Sequence, residues 1–382
     1  MEFLKIIATT AFGLESITAR EIKNLGYADA TTENGKIMLN GTENDVARLN
    51  MWLRTADRVL WEVACFEAKT FEELFQGVKA VQWGDFLPED AEMHVIGKSI
   101  QSTLFSVPDC QSITKKAIIE KMKEKYSREQ FEETGPKYKI SVSLLKDVAS
   151  ITIDTSGAGL HKRGYRSLVG DAPLKETLAC ALIQLSYWKD EKFLCDPLCG
   201  TGTIPIEAAM IALNRAPGLK RSFVCEQWPT FSQQVWKDAR EEAHDLFLPD
   251  KNLNIYGSDI DPKAIELASL HAEEAGIDEY IHFKKLDVRD FKSAQSYGFI
   301  ITNPPYGERL GSERQVEELY KSMAKSFFAL DNWSYYILTS YPGFEKVFGK
   351  KADKRRKLFN GRIECQYYRF LGAKPQKESS AE

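Results

Sequence analysis

The chain has 382 residues, 43% hydrophobic and 28% charged, enough apolar material for a sizeable core and for two or three domains. Its apolar stretches are broken by charge well short of the roughly 18 residues a membrane span needs, and residues 1–10 lack a basic segment leading into an apolar run, so a cytoplasmic protein is expected. A net charge of -4 argues against a uniformly cationic nucleic-acid coat, and seven irregularly spaced cysteines, Cys195 and Cys199 the closest pair, suggest neither a disulfide framework nor a metal site.

The first 155 residues alternate short apolar strands with amphipathic helices, an α+β pattern. Strands are expected over 3–9, 36–40, 59–66, 93–99, 138–145 and 148–154, and helices over 14–25, 43–55, 71–81 and 112–126. No residue of this half looks catalytic, since its single histidine, His94, has no nucleophile beside it. Residues 157–171 are Gly-rich and basic, and mark an inter-domain linker. Lys162, Arg163 and Arg166 with His161 and Tyr165 interleaved would also suit RNA backbone contact and base stacking.

From residue 172 the pattern becomes that of a parallel, doubly wound sheet. A helix over 174–188 precedes strands over 192–195, 253–258, 281–285, 299–302 and 335–339. Segments 356–359 and 363–370 flank Asn360-Gly361, a strong hairpin signal, so an antiparallel hairpin should close the sheet. The run from Lys346 to Arg362 holds eight cations against Asp353 alone, a field that could meet phosphates and equally could be a solvated face. Residues 373–382 are polar and expected to be disordered.

The segment Asp196-Pro197-Leu198-Cys199-Gly200-Thr201-Gly202-Thr203 follows a strand and opens a helix expected over 204–213. Its glycines should lie where open sheets bind ligands, with helix N-H groups aimed at an anion. It lacks the Lys of a phosphate loop and the third glycine of the dinucleotide fingerprint, and the next strand-end acid, Asp259, stands 57 residues past Gly202 rather than about 20. Asp259 could accept from both ribose hydroxyls, Asp287 from an adenine amino group, and Asp196 could pair with an ammonium. S-adenosylmethionine carries all three groups. Asp261, followed by Pro262, reads instead as a helix N-cap.

Asn303-Pro304-Pro305-Tyr306 follows the fourth strand of this half and should face the same crevice. The Asn303 oxygen and the Pro304 carbonyl are acceptors for the two protons of a planar amine, and the Tyr306 ring offers a stacking face. Accepting both protons favours the nucleophilic form of a nucleobase amino nitrogen, whose lone pair is otherwise delocalised. The base would have to be unpaired or flipped to reach the turn.

Leu160-His161-Lys162-Arg163-Gly164-Tyr165-Arg166, the segment 196–203, Gly257-Ser258-Asp259-Ile260-Asp261 and Asn303-Pro304-Pro305-Tyr306-Gly307-Glu308-Arg309 together resemble the THUMP-domain RNA guanine-N2 methyltransferases over essentially the whole chain. The resemblance is closest to the bacterial branch similar to the N-terminal half of the large-subunit ribosomal RNA guanine-N2 methyltransferase. It implies a ferredoxin-like subdomain over 1–55, a THUMP module that captures structured RNA over 56–156, the linker over 157–171 and a Rossmann-like class I methyltransferase domain over 172–372. The resemblance agrees with the residue-level reading of the cofactor site, for which Asp196, Gly200, Thr201, Gly202, Thr203, Asp259, Ile260, Asp287, Val288 and Asn303 are expected. Asn303, Pro304, Pro305 and Tyr306 are the expected catalytic turn, and Lys162, Arg163, Tyr165, Arg166, Arg355 and Arg356 the expected RNA contacts. The partner expected is ribosomal RNA, and the role rRNA processing. The Asn-Pro-Pro-Tyr motif also occurs in adenine and glutamine-amide methyltransferases and does not choose the base. The alternatives are a tRNA guanine-N2 methyltransferase, a DNA adenine-N6 methyltransferase, disfavoured by the absence of a helix-turn-helix pattern, and a non-enzymatic RNA-binding or ribosome-assembly protein.

Overall fold

The computed structural model describes residues 3–166, 174–306 and 312–373. These residues form two compact units, one of residues 3–10, 18–160 and 221–242, the other of residues 11–17, 161–166, 174–220, 243–306 and 312–373. Among the described residues no helix is long and apolar enough to cross a membrane, and all seven cysteines are unbridged. Most of the tail expected to be disordered, 374–382, lies outside the described residues.

The first unit is built from β1 (Leu4–Thr10), α1 (Glu15–Asn24), β2 (Thr31–Glu33), β3 (Lys36–Gly41), α2 (Glu43–Trp52), β4 (Ala56–Glu67), α3 (Phe71–Lys79), β5 (Glu92–Ile100), α4 (Val107–Tyr126), β6 (Lys137–Leu145) and β7 (Val148–Asp154). One seven-stranded sheet runs β2-β3-β1-β4-β7-β6-β5. β4 is the hinge of this arrangement: its first half pairs with β1 from Lys5–Glu62 to Thr10–Ala56, and its second half pairs with β7 from Leu60–Asp154 to Glu67–Val148. A strand of 12 residues has length enough to present both edges to different partners. The break expected after residue 55 therefore falls just before a strand shared by both halves of one sheet. α4 begins five residues before the expected helix, because Pro108 sits in its first turn, where a missing N-H costs nothing.

Segment 221–242 belongs to this unit, although its sequence position places it inside the expected methyltransferase domain. Arg221 donates to the carbonyls of Gly159 at 2.7 Å and Ala158 at 2.6 Å. The fully buried Trp228 stacks on Tyr138 with ring centres 4.5 Å apart, and its indole N-H donates to the Lys137 carbonyl at 3.0 Å. Arg48 grips Glu242 through Nε at 2.8 and 2.9 Å. Such long-range contacts leave no mark in local periodicity.

The second unit contains α5 (Glu176–Leu185), β8 (Leu194–Asp196), α6 (Thr203–Ala212), the end of α7 (Gln233–Asp245), β9 (Ile255–Asp259), α8 (Pro262–Ala275), β10 (Ile281–Lys285), β11 (Phe299–Thr302), α9 (Glu313–Phe328), β12 (Ser334–Thr339), α10 (Phe344–Phe348), β13 (Lys354–Asn360) and β14 (Ile363–Phe370). Its sheet runs β10-β9-β8-β11-β12-β14-β13. The first five of these strands are parallel, and β14 lies antiparallel between β12 and β13. The α/β class and the closing hairpin are as the sequence predicts. Helices cover both faces: α5, α6 and α8 contribute to one apolar cluster with Ile204, Ile206 and Leu182, and α9 and α10 to the other with Tyr320, Phe327 and Phe344. The strand order reverses between β8 and β11, and the crevice at such a reversal is where open sheets take ligands.

Replacing Trp228 by Ala removes both a stacked ring and a buried hydrogen bond, with an expected cost of about 3–5 kcal/mol to the first unit. Urea unfolding followed by tryptophan fluorescence measures it, and a change below about 1 kcal/mol would mean that segment 221–242 is not integral to that unit.

Candidate active site

Four neighbouring strands bring their carboxyl ends together. β8 meets β9 through Asp196–Gly257 and meets β11 through Cys195–Ile300, while β10 lies beyond β9 with Lys285 opposite Asp259. The chain leaving these ends carries Asp196 and the glycine turn, Asp259, Asp287 and Asn303, so tertiary structure juxtaposes the residues picked out by motif.

Asp196 is 2% exposed and accepts from the Leu198 N-H at 3.2 Å. Burial pushes its carboxyl up to about 7; the Thr302 hydroxyl and the Leu198 amide oppose the shift, and the Asp259 charge adds to it. Among the described residues no cation pairs with it. A buried acid in this state is poised to receive a cationic group, as expected for the ammonium.

Asp259 spends one oxygen on the Gly200 N-H at 2.9 Å and the other on the Asp261 N-H at 3.0 Å, which fixes the glycine turn against β9. Its remaining acceptor capacity suits hydroxyl donors. Gly200 has φ +51°, and a side chain there would meet open space, whereas a Cβ on Gly202, φ +81°, would strike Ala268 and the Phe283 ring at 2.9 Å. Gly200 thus lines the crevice, and Gly202 is required by packing rather than by approach of a ligand. Thr201 presents its carbonyl to Nδ1 of the buried His271 at 3.2 Å, a support that the sequence reading missed. Thr203 is the first residue of α6 and is buried. Asp261 caps α8 by accepting from Lys263 N-H at 2.9 Å, as predicted.

Ile260 is 57% exposed beside Asp259, and Val288 is buried. Asp287 differs from expectation. It caps a short 3-10 turn, accepting from the Arg289 N-H at 2.9 Å, and pairs with the Arg289 guanidinium, which holds its carboxyl below the usual range. Much of its acceptor capacity is therefore committed locally.

Asn303 follows β11, and its Oδ1 is buried with no hydrogen-bond partner among the described residues, as is the hydroxyl of Ser258 on β9. An unsatisfied buried acceptor costs about 1–3 kcal/mol, so Asn303 Oδ1 at the carboxyl end of β11 marks a place built for a ligand. The sequence reading missed Ser258 and Thr302, whose signal is only their position at strand ends. Pro304 is buried and Pro305 half-buried. Tyr306 corrects the expectation of an open stacking face: it is 4% exposed, within the apolar core, and its hydroxyl accepts from Asn360 Nδ2 at 2.9 Å. Its ring ties the turn to the β13–β14 hairpin. The motif's continuation, Gly307 to Arg309, lies outside the described residues.

The basic heptapeptide is also corrected. Arg163, 3% exposed, pairs with Glu207 at 3.3 Å; burial opposes its charge most, but Glu207 together with Cys180, Glu176 and Tyr165 outweighs it and raises the pKa. Tyr165, 2% exposed, donates to the same carboxylate at 3.0 Å. Arg166 pairs with Glu176 at 2.9 Å and bonds the Thr203 hydroxyl. These three side chains brace α6, the helix that begins at the glycine turn, and are not offered to a polyanion. Lys162 is exposed. Arg355 is exposed beside Glu345 at 3.3 Å, and Arg356 is half-buried, donating to the Gly13 carbonyl at 2.6 Å.

A buried acid with no cation beside it among the described residues, a second acid with acceptor capacity to spare and an open Gly200 fit S-adenosylmethionine, and the fold and crevice define a class I methyltransferase. Comparison with known proteins agrees. Residues 163–369 match the RMKL-like methyltransferase domain, residues 5–60 the RlmL ferredoxin-like domain and residues 68–154 the THUMP domain. YpsC of Bacillus subtilis strain 168, whose provisional name is RNA methyltransferase, is 49% identical over 383 residues, 100% of this chain and 99% of its own. A Listeria monocytogenes str. 4b F2365 structure whose name predicts an N6-adenine-specific DNA methylase is 50% identical, with TM-score 0.93 over 98% of this chain and 97% of that one. The structure of SMU.472, provisionally named a methyltransferase and complexed with SAH, is 42% identical, with TM-score 0.92 over 98% and 100%. The chain belongs to the RMKL-like methyltransferase family, with RlmL ferredoxin-like and THUMP domains before the methyltransferase domain.

The raised Asp196 value has a consequence for stability. Between its ordinary value near 4 and its folded value of about 7, the folded protein holds a proton that the unfolded chain has lost. This contribution is present below pH about 4 and is lost as pH rises through about 7. The Tm of the wild type relative to Asp196→Asn should accordingly rise as pH is lowered from about 8 to about 5, and a pH-independent difference would contradict the assignment.

Proposed function

We propose that this protein transfers a methyl group from S-adenosyl-L-methionine to the exocyclic N2 of a guanine in structured RNA, with 23S ribosomal RNA in the cytoplasm as the substrate. The observation that carries the reading is Asn303 Oδ1, buried just after β11 with no hydrogen-bond partner among the described residues, next to the strand that bears Asp196 and the glycine turn. When bound, the cofactor supplies a sulfonium methyl, an electrophile that needs no metal or covalent intermediate. Asp196 holds the ammonium and Asp259 the ribose hydroxyls. Asn303 Oδ1 and the Pro304 carbonyl accept the amino protons of the base, which keeps the nitrogen lone pair aimed along the transfer line. The proton is released once the methylated nitrogen has become acidic. Buried Tyr306 keeps this turn in place through Asn360 rather than stacking on the base.

RNA is favoured by the THUMP match at 68–154, in the half assigned to RNA capture over 56–156, and by the RlmL ferredoxin-like match at 5–60. The provisional name of YpsC points the same way. The name of the Listeria relative favours adenine in DNA instead, and a tRNA guanine is the nearest alternative within the same chemistry.

Asn303→Ala should lower kcat by about 100-fold or more while S-adenosylhomocysteine still binds, as read by methyl transfer and calorimetry; retained turnover would remove Asn303 from the chemistry. Nucleoside mass spectrometry on cells lacking the gene should show loss of N2-methylguanosine from 23S RNA. Loss confined to tRNA, or loss of N6-methyladenine from DNA, would replace the substrate proposed here.

A further inference from the structure

We infer that Phe12 and Phe359, with Lys357 beside them, form a stacking platform for an unpaired nucleotide next to the target base; the assignment rests on the RNA reading above. β13 is the edge strand of the second unit's sheet, and residues 11–17 of the same unit lie along it. Arg356 donates to the Gly13 carbonyl at 2.6 Å and to Ser16 Oγ at 3.3 Å, and a Cβ on Gly13 would come within 3.2 Å of the Lys357 carbonyl. This clamp presents Phe12 at 60% exposure, edge-on to Phe359 with ring centres 6.1 Å apart. The Lys357 ammonium lies 5.4 Å from the Phe359 ring.

A lone exposed phenylalanine is ordinary. Two features separate this pair from that case. The first is its place: Asn360, the residue after Phe359, donates to the hydroxyl of Tyr306 in the reactive turn. The second is charge, since Lys354, Arg355 and Lys357 are exposed along the same strand. Lys357 meets Glu364 at 2.6 Å and Arg355 meets Glu345 at 3.3 Å, but exposed pairs of this kind contribute little and hold the cations only weakly. Aromatic faces with adjoining cations bind single-stranded nucleic acid by stacking and backbone attraction. The buried Tyr306 cannot stack on a base in this conformation, and the platform beside it can hold the neighbouring nucleotide.

The test uses the full chain, labelled S-adenosylmethionine and unmethylated ribosomal RNA from cells lacking the gene. Phe12→Ala should raise the KM for RNA roughly tenfold, with Tm and S-adenosylhomocysteine binding unchanged, and Phe12→Trp should restore it. Lys357→Ala should reduce the slope of log affinity against log salt by about 1. Unchanged RNA KM in Phe12→Ala together with an unchanged slope in Lys357→Ala overturns the platform while leaving the RNA reading intact. A Phe12→Ala effect on elution volume instead of KM also overturns it, in favour of self-association. If the wild type labels no RNA, the functional reading itself fails and the platform falls with it.

Discussion

A buried carboxyl at the centre of a parallel sheet, with no cation beside it among the described residues, governs the second unit. Asp196 ends a strand only three residues long, flanked by parallel neighbours on both sides, with its acid withdrawn from water. Such a group is tolerated where a ligand offsets the desolvation, and the site is arranged around it. Asp259 holds the adjoining backbone turn, Gly200 keeps one side open, and Asn303 completes the crevice from the strand on the other side of the reversal.

Support for that crevice comes from an unexpected source. The basic heptapeptide delivers Arg163 and Tyr165 onto Glu207 and Arg166 onto Glu176 and Thr203, all within the second unit. Glu207 lies two residues beyond Pro205 in α6, whose first residue adjoins Gly202. Removing one partner of such a buried pair strands the other charge, at a cost of about 3–5 kcal/mol. The heptapeptide is therefore part of the scaffold around the glycine turn, with only Lys162 of its cations exposed, while Lys354, Arg355 and Lys357 are exposed on β13.

A comparable exchange of roles occurs at the reactive turn. The Tyr306 ring is consumed in fastening the turn to the hairpin, while Asn303 Oδ1 is buried with no hydrogen-bond partner among the described residues. The hairpin at Asn360-Gly361 thus holds the turn that follows β11, and its edge strand is where the Gly13 loop docks.

The sequence alone determined the alternation of elements, the doubly wound sheet with its antiparallel closure, and the strand-end motifs around Gly200, Asp259 and Asn303. These are local signals: apolar periodicity, helix caps such as Asp261-Pro262, and an Asn-Gly turn, each set within a few residues of chain. Tertiary structure alone decided which charged side chains face water. Arg163 and Lys162 are adjacent in sequence and alike in charge, yet one is sealed against Glu207 and the other exposed, because burial depends on a partner 44 residues away. The same holds for segment 221–242, drawn into the first unit by Trp228 on Tyr138, and for Asp287, turned inward to its own Arg289. Non-local pairing and desolvation leave no periodic trace, so they become legible only once the chain has folded.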